Sequence, residues 1–155
     1  AFHYPPQGTR SWGGPPAVYG FRPPHVAEAQ EAINQEILTI VMLESPAAIE
    51  NAAAIAAVDG IDVLLIGSFD LTAAMGISGQ VRHPRVIAAY ETVGAACRAH
   101  GKVLGMGGIN DPEDMARYLA IGARYLGAGS DQGYIMAGAE ARMTMVRDML
   151  ARGRA

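Results

Sequence analysis

Apolar residues along the chain form short continuous runs that alternate with longer stretches of helical periodicity. The short runs are rich in valine, isoleucine and leucine, which is typical of strands in a buried parallel sheet. They predict four strands, at residues 37–43, 63–66, 102–106 and 124–128.

Each strand is followed by a stretch that predicts a helix, and another helix precedes the first strand. Apolar spacing and the proline and glycine boundaries place these helices at residues 26–34, 46–57, 84–100, 112–121 and 134–151, with a short one at 71–75. Ser45 and Pro46 supply an N-cap and a first-turn proline for the second of them. The last helix carries an apolar stripe that predicts a packing face, formed by Ile135, Met136, Ala139, Met143, Val146 and Leu150.

Four successive strand–helix units predict parallel strands joined by right-handed crossovers. Such a sheet is either open, as in a flavodoxin-like fold, or part of a closed barrel. A complete (β/α)8 barrel takes about 250 residues, so four units in 155 residues predict a half-barrel. Residues 1–155 then form a single partial barrel domain, with a proline-rich leading loop at 1–24 and the strand–helix units at 25–155.

Composition narrows the classes of partner and compartment. The net charge is -3 without a run of like charges, so neither nucleic acid nor an anionic membrane is expected as a partner. No apolar run approaches the roughly 20 residues of a membrane span, and no signal-peptide pattern opens the chain. The single cysteine, Cys97, is interpreted as a packing residue, and a chain with no internal disulfide favours a reducing cytoplasm.

Two acidic residues end neighbouring strands. Glu44 closes the first strand and Asp70 follows the second, so both are expected at the carboxyl-terminal edge of the sheet, where α/β enzymes place their sites. Two carboxylates without a nearby histidine or thiol suit a hard cation such as Mg²⁺ or Mn²⁺. Taken singly, each acid is better interpreted as serving a helix N-terminus; their equivalent positions favour a shared metal.

Neighbouring residues indicate how such a site would work. Backbone amides around Ser68, Phe69 and Asp70 are expected to hold a substrate carboxylate. The only lysine, Lys102, begins the third strand and so lies at the opposite end of the sheet, which leaves an imine mechanism without a nucleophile in this segment. A metal that acts as a Lewis acid on a ketone is the consistent alternative. The glycine run at 105–108 lacks the spacing of nucleotide-binding loops and is interpreted as a tight turn.

Several segments together resemble one enzyme family. The sequences YPPQGTRS at 4–11, IVMLE at 40–44, VDGID at 58–62 and IGSFDL at 66–71 resemble segments of the HpcH/HpaI family of class II pyruvate aldolases, such as 2-dehydro-3-deoxyglucarate aldolase and 4-hydroxy-2-oxoheptanedioate aldolase. The resemblance implies the C-terminal half of a (β/α)8 TIM barrel. It also implies that Glu44 and Asp70 are the metal ligands, and that the backbone at Phe69 and Asp70 receives the pyruvate carboxylate.

The chain departs from the family pattern in three respects. Met42 stands where many members have glutamine, and Ser68-Phe69 stands where members often have Pro-Ala. The family's catalytic arginine and histidine base belong to earlier barrel strands, outside this sequence. Arg10 is a candidate to face the site, although we favour a structural anchoring role for it. Trp12 is interpreted as a packing or interface residue.

The resemblance implies a carbon–carbon lyase that forms or cleaves 2-keto-3-deoxy or 4-hydroxy-2-oxo acids through a metal-bound pyruvate enolate. The implied cofactor is Mg²⁺ or Mn²⁺, with Co²⁺ as a further candidate, and the implied substrates are pyruvate and a small aldehyde. Expected protein partners are the N-terminal half-barrel and further copies in a homo-oligomer, a hexamer by resemblance. The alternatives are an oxaloacetate-type decarboxylase on the same metal site and a non-catalytic half-barrel that needs its N-terminal half.

Overall fold

The computed structural model of the chain describes residues 2–14, 16–22 and 24–153, so Pro15 and Pro23 of the leading loop lie outside the described residues. Its centre is a parallel sheet in the order β1-β2-β3-β4. The strands are β1 (Ile40–Leu43), β2 (Val63–Gly67), β3 (Val103–Gly107) and β4 (Ala123–Leu126). The predicted α/β class, with parallel strands in sequence order, is confirmed.

Helices connect the strands. They are α1 (Val26–Glu36), α2 (Pro46–Glu50), α3 (Ala52–Ala56), α4 (Ser68–Ala74), α5 (Pro84–His100), α6 (Pro112–Ile121) and α7 (Asp131–Arg152). The predicted cap Ser45 acts as expected, because its hydroxyl accepts a hydrogen bond from the Ala48 N–H at 3.2 Å. Asp111 accepts from the N–H groups of the first turn of α6 in the same way. A 3-10 turn at Ala17–Tyr19 precedes α1.

One face of the sheet forms the core. Leu64, Ile66 and Met106 point toward the helices and are fully buried, with α5 lying across β2 and β3. The alternate residues point to the opposite face, where Leu65 is half-buried and Met42 is 56% exposed. The apolar strands are therefore buried mainly on the face of the sheet that the helices of this chain cover.

Several predicted elements differ from the structure in their bounds; α4 begins at Ser68 instead of residue 71, and α7 at Asp131 instead of residue 134. The first strand begins at Ile40 instead of residue 37, because its partner β2 begins at Val63 and pairs with Ile40. The predicted helix at 46–57 is divided at Asn51 into α2 and α3. Asn51 has the non-helical ψ of 6° and donates its side-chain amide to the Ala47 carbonyl, which interrupts the regular helix.

The leading segment is attached to α1. Tyr4 is 3% exposed, and its backbone N–H and carbonyl both bond the Asn34 side-chain amide, at 2.7 and 3.1 Å. The Trp12 ring lies 5.6 Å from the Tyr4 ring, in agreement with a packing role. The Arg10 guanidinium lies 4.7 Å from the centre of the Tyr4 ring. Part of the predicted loop is therefore ordered against the first helix.

The last helix does not pack as predicted. No residue of α7 is buried, and Ile135 and Leu150 of its apolar stripe are 70% and 58% exposed. The prediction of a packing face is thus wrong for contacts within the chain, because no described element covers this stripe. None of the helices in the described part of the chain is long and apolar enough to cross a membrane.

Candidate metal and substrate site

The Glu44 side chain lies at the carboxyl-terminal edge of the sheet, directly after β1. It is half-buried and crosses toward the end of β2, where its carboxylate lies against the backbone of Gly67. A Cβ built on Gly67 would come within 2.7 Å of the Glu44 Oε1 and 2.8 Å of its Cγ. The absence of a side chain at Gly67 therefore makes room for the carboxylate.

Asp70 lies in the first turn of α4, after the end of β2. This helix begins at Ser68, immediately after β2, so its first turn continues from Gly67. Ser68 is fully buried, whereas Phe69 and Asp70 are exposed. The sequence prediction that both acids follow neighbouring strand ends agrees with this placement.

A pocket of about 170 Å³ lies between these strand ends. Its walls are formed by Met42, Leu65, Gly67, Ser68, Phe69, Asp70, Gly107 and Gly108. The three residues that the sequence predicts as substrate contacts, Ser68, Phe69 and Asp70, therefore all line one pocket. The walls are mainly apolar except at Ser68 and Asp70, which is typical of small-molecule sites.

Gly108 borders both this pocket and a larger neighbour, and it is covered by Phe69. The Phe69 ring lies over Gly108, where a Cβ would come within 2.7 Å of Cδ2, and Gly108 has the left-handed φ of +79°. Gly108 also borders a second cavity of about 550 Å³ at the end of β4 and the start of α7. The interpretation of the glycine run as a turn fits this left-handed conformation.

A buried pair beneath the site was not predicted from sequence. The Ser68 and Tyr90 hydroxyl oxygens lie 2.8 Å apart, and both residues are fully buried. Helical spacing puts Tyr90 on the apolar face of α5, but spacing does not reveal which residue its hydroxyl meets. The pair joins the first turn of α4 to α5.

The other candidate residues lie elsewhere. Within the described residues, no hydrogen bond or ion pair joins Arg10 to Glu44 or Asp70. The Arg10 guanidinium lies over the Tyr4 ring instead. Lys102 precedes β3, at the edge of the sheet opposite Glu44, as predicted. Cys97 is buried within α5, and burial raises the pKa of its thiol.

The donor set suits a hard cation. Glu44 and Asp70 both offer carboxylate oxygens, and the contact at Gly67 gives the Glu44 carboxylate a defined place at the strand edge. In the described ranges, no group of three or more histidine, cysteine, aspartate or glutamate residues is arranged to hold a metal. A cation held there would draw on the two carboxylates of Glu44 and Asp70, and water or substrate oxygens would supply its further ligands.

The HpcH/HpaI aldolase/citrate lyase family model matches residues 1–137. The chain belongs to this family. Among its HpcH/HpaI relatives is the 4-hydroxy-4-methyl-2-oxoglutarate aldolase of Hapsidospora irregularis, which is 38% identical over 88% of this chain and 52% of its own length. The 5-keto-4-deoxy-D-glucarate aldolase of Salmonella arizonae is 37% identical, again over 88% of this chain and 52% of its own length.

A solved HpcH/HpaI structure agrees with these relatives. The HpcH/HpaI aldolase of Desulfitobacterium hafniense superposes with a TM-score of 0.75 at 33% identity, over 92% of this chain and 55% of that one. The chain thus spans about half the length of the curated and solved relatives it matches. This coverage, with the parallel sheet, confirms the predicted half-barrel over the open flavodoxin-like alternative.

Proposed function

We propose that this chain supplies the metal-binding half of a class II aldolase site. The reaction forms or cleaves 2-keto-3-deoxy or 4-hydroxy-2-oxo acids, with pyruvate as one product or substrate and a small aldehyde as the other. The observation that carries the proposal is the Glu44 carboxylate seated on Gly67, one residue before the turn that holds Asp70. Family membership and the aldolase names of the relatives support the reaction class.

Glu44 and Asp70 would hold the divalent cation, and Mg²⁺ and Mn²⁺ match their oxygen donors. When bound, such an ion acts as a Lewis acid that polarises a ketone oxygen. Neither acid has a hydrogen-bond partner or ion pair among the described side chains, so both carboxylates remain available as ligands. This donor set supports the metal proposal over an imine mechanism, for which the chain's one lysine is misplaced.

The pocket walls would orient the substrate. The backbone at Phe69 and Asp70 is proposed to receive the pyruvate carboxylate, with the Ser68 hydroxyl directed away toward Tyr90. Met42, Leu65 and Phe69 would exclude water from the carbon that reacts. The exposed fraction of Met42 leaves it free to contact substrate or another part of the assembly.

The remaining catalytic groups would come from outside this chain. Within the described residues, no basic side chain forms a hydrogen bond or ion pair with Glu44 or Asp70. We propose that an N-terminal half-barrel provides the base and the arginine near the pocket. Arg10 is proposed to anchor the leading segment, because its guanidinium covers the ring of the buried Tyr4. A homo-oligomer is proposed as well, since the apolar stripe of α7 is exposed.

Exchange of the pyruvate methyl protons for deuterium tests the proposal. The exchange is followed by NMR, with Mn²⁺ and with a chelator, on this chain alone and on a form extended at its N-terminus. Mn²⁺-dependent exchange by the extended form supports the aldolase proposal, and exchange by neither form contradicts it. Loss of oxaloacetate without turnover of any aldehyde would instead favour a decarboxylase.

A further inference from the structure

The Ser68–Tyr90 pair is a polar contact enclosed by the hydrophobic core. Both residues are 0% exposed, and their hydroxyl oxygens are 2.8 Å apart across 22 positions of sequence. A buried hydroxyl without a partner is costly, so each side chain requires the other. The bond fixes the beginning of α4 to the middle of α5.

Tyr90 is itself held rigidly. Its ring lies 4.0 Å from that of Tyr118 at an interplanar angle of 34°, and this ring contact does not depend on the Tyr118 hydroxyl. Burial raises the pKa of Tyr90 well above its ordinary value, so the phenol stays protonated and able to hydrogen-bond. Ser68 therefore bonds to a group with little freedom to move.

The first turn of α4 is attached to the core by the buried side chain of Leu71 and by few hydrogen bonds. The helix has seven residues, and its N-cap Gly67 provides no side-chain hydrogen bond. The Thr72 hydroxyl donates to the Phe69 carbonyl, but that bond lies within the helix and does not fix its position. Among the described residues, the Ser68 hydroxyl supplies the side-chain hydrogen bond that ties this turn to the core, beside the apolar packing of Leu71.

Helix geometry links this tether to the site. Successive residues of an α-helix are rotated by about 100°, so residues two positions apart point to nearly opposite sides. Ser68 points into the core and Asp70 points out, as their burial and exposure indicate. A rotation or shift of the turn would therefore move the Asp70 carboxylate relative to Glu44.

We propose that Tyr90 is a positioning residue that, through the Ser68 hydroxyl, fixes the Asp70 carboxylate at the distance from Glu44 that a shared divalent cation requires. This inference rests on the proposed function, since it concerns the geometry of the same two ligands. Tyr90 itself touches neither metal nor substrate; it acts through the first turn of α4.

The test measures Mn²⁺ affinity and thermal stability in the N-terminally extended protein. Tyr90→Phe and Ser68→Ala each remove one hydroxyl, and Tyr118→Phe is a matched control because it removes a buried tyrosine hydroxyl that bonds the Val81 carbonyl instead. We expect Mn²⁺ affinity to fall about tenfold in Tyr90→Phe and in Ser68→Ala. The double variant should bind no more weakly than either single one, because both remove the same bond.

The control separates positioning from general stability. Tyr118→Phe should lower the melting temperature to a similar degree as Tyr90→Phe, with Mn²⁺ affinity unchanged well below that temperature. Equal Mn²⁺ affinity in wild type and Tyr90→Phe would overturn the positioning role while leaving the metal site intact. Failure of the wild-type protein to bind Mn²⁺ would overturn both the inference and the proposed function.

Discussion

The Glu44 carboxylate lies on the backbone of Gly67, so close that a Cβ at position 67 would be 2.7 Å from the Glu44 Oε1. Gly67 has φ −81° and ψ 89°, a conformation that residues other than glycine also adopt. The requirement for glycine here thus comes from the carboxylate and not from backbone strain. The end of β2 at Gly67 thus leaves room for the proposed metal ligand Glu44, which follows β1.

Gly67→Ala should displace Glu44 from its place at the strand edge. We expect Mn²⁺ affinity to fall about tenfold or more, with a loss of stability of about 1–3 kcal/mol from overpacking. Isothermal titration and urea unfolding measure the two effects. Gly138→Ala is the matched control, because nothing lies within 4 Å of its added methyl group; it should leave Mn²⁺ binding unchanged and stabilise α7 by about 0.5–1 kcal/mol. Unchanged Mn²⁺ affinity in Gly67→Ala would contradict the seating of Glu44.

Local sequence signals predicted most of the framework. Ser45 caps α2 as its position before proline indicated, and Glu44 and Asp70 follow the ends of β1 and β2 as expected. These features depend on neighbours within a few residues of each other, so a single sequence contains the necessary information.

Features that depend on residues far apart in the sequence could not be predicted from these local signals. The Ser68–Tyr90 bond joins residues 22 positions apart and exists only because α5 lies across β2. The reason for glycine at position 67 is likewise visible only once Glu44 is seen against it. The start of β1 at Ile40 is set by the length of its partner strand, which the apolar run at 37–43 does not encode.

Lys102 should be dispensable for pyruvate chemistry. It precedes β3 at the edge of the sheet opposite Glu44, so no imine with substrate is expected there. Lys102→Arg should retain Mn²⁺-dependent deuterium exchange within about twofold of wild type. Borohydride added with pyruvate should leave the intact mass of this chain unchanged, and a mass increase at Lys102 would contradict a purely metal-based mechanism.

Cys97 should react slowly with thiol reagents in the folded chain. It is 2% exposed, and burial raises the pKa of its thiol, so both access and thiolate content are reduced. The reaction with an aromatic disulfide at pH 8 should be about a hundredfold slower than in urea-unfolded chain. Cys97→Ala should keep the deuterium exchange; rapid modification of the native thiol, or loss of exchange in the variant, would contradict its interpretation as a packing residue.

Asp111 should make stability depend on pH in the acid range. The backbone N–H of Asp114 chiefly, with that of Glu113 and the Arg82 guanidinium, lowers the pKa of Asp111 in the folded chain. Because the folded pKa is the lower one, the stabilisation is complete above the unfolded value of about 4 and is lost as pH falls through the folded value. Asp111→Asn keeps a capping oxygen but does not titrate.

Urea unfolding of wild type and Asp111→Asn checks this dependence. The stability advantage of wild type should be greatest near neutral pH and should shrink as the pH is lowered from about 6 to about 2. A difference between the two proteins that stays constant over this range would show that the charge on Asp111 makes no contribution.

Glu44 and Asp70 are proposed to bind one divalent cation together. Mn²⁺ titration of the N-terminally extended protein tests this binding most directly. Glu44→Gln and Asp70→Asn each preserve shape while removing a charge; the exposed Glu50→Gln and Asp59→Asn are their controls. We predict one Mn²⁺ per chain in wild type and in both controls, with affinity reduced about a hundredfold in each site variant. Wild-type affinity in Glu44→Gln and in Asp70→Asn would contradict the account.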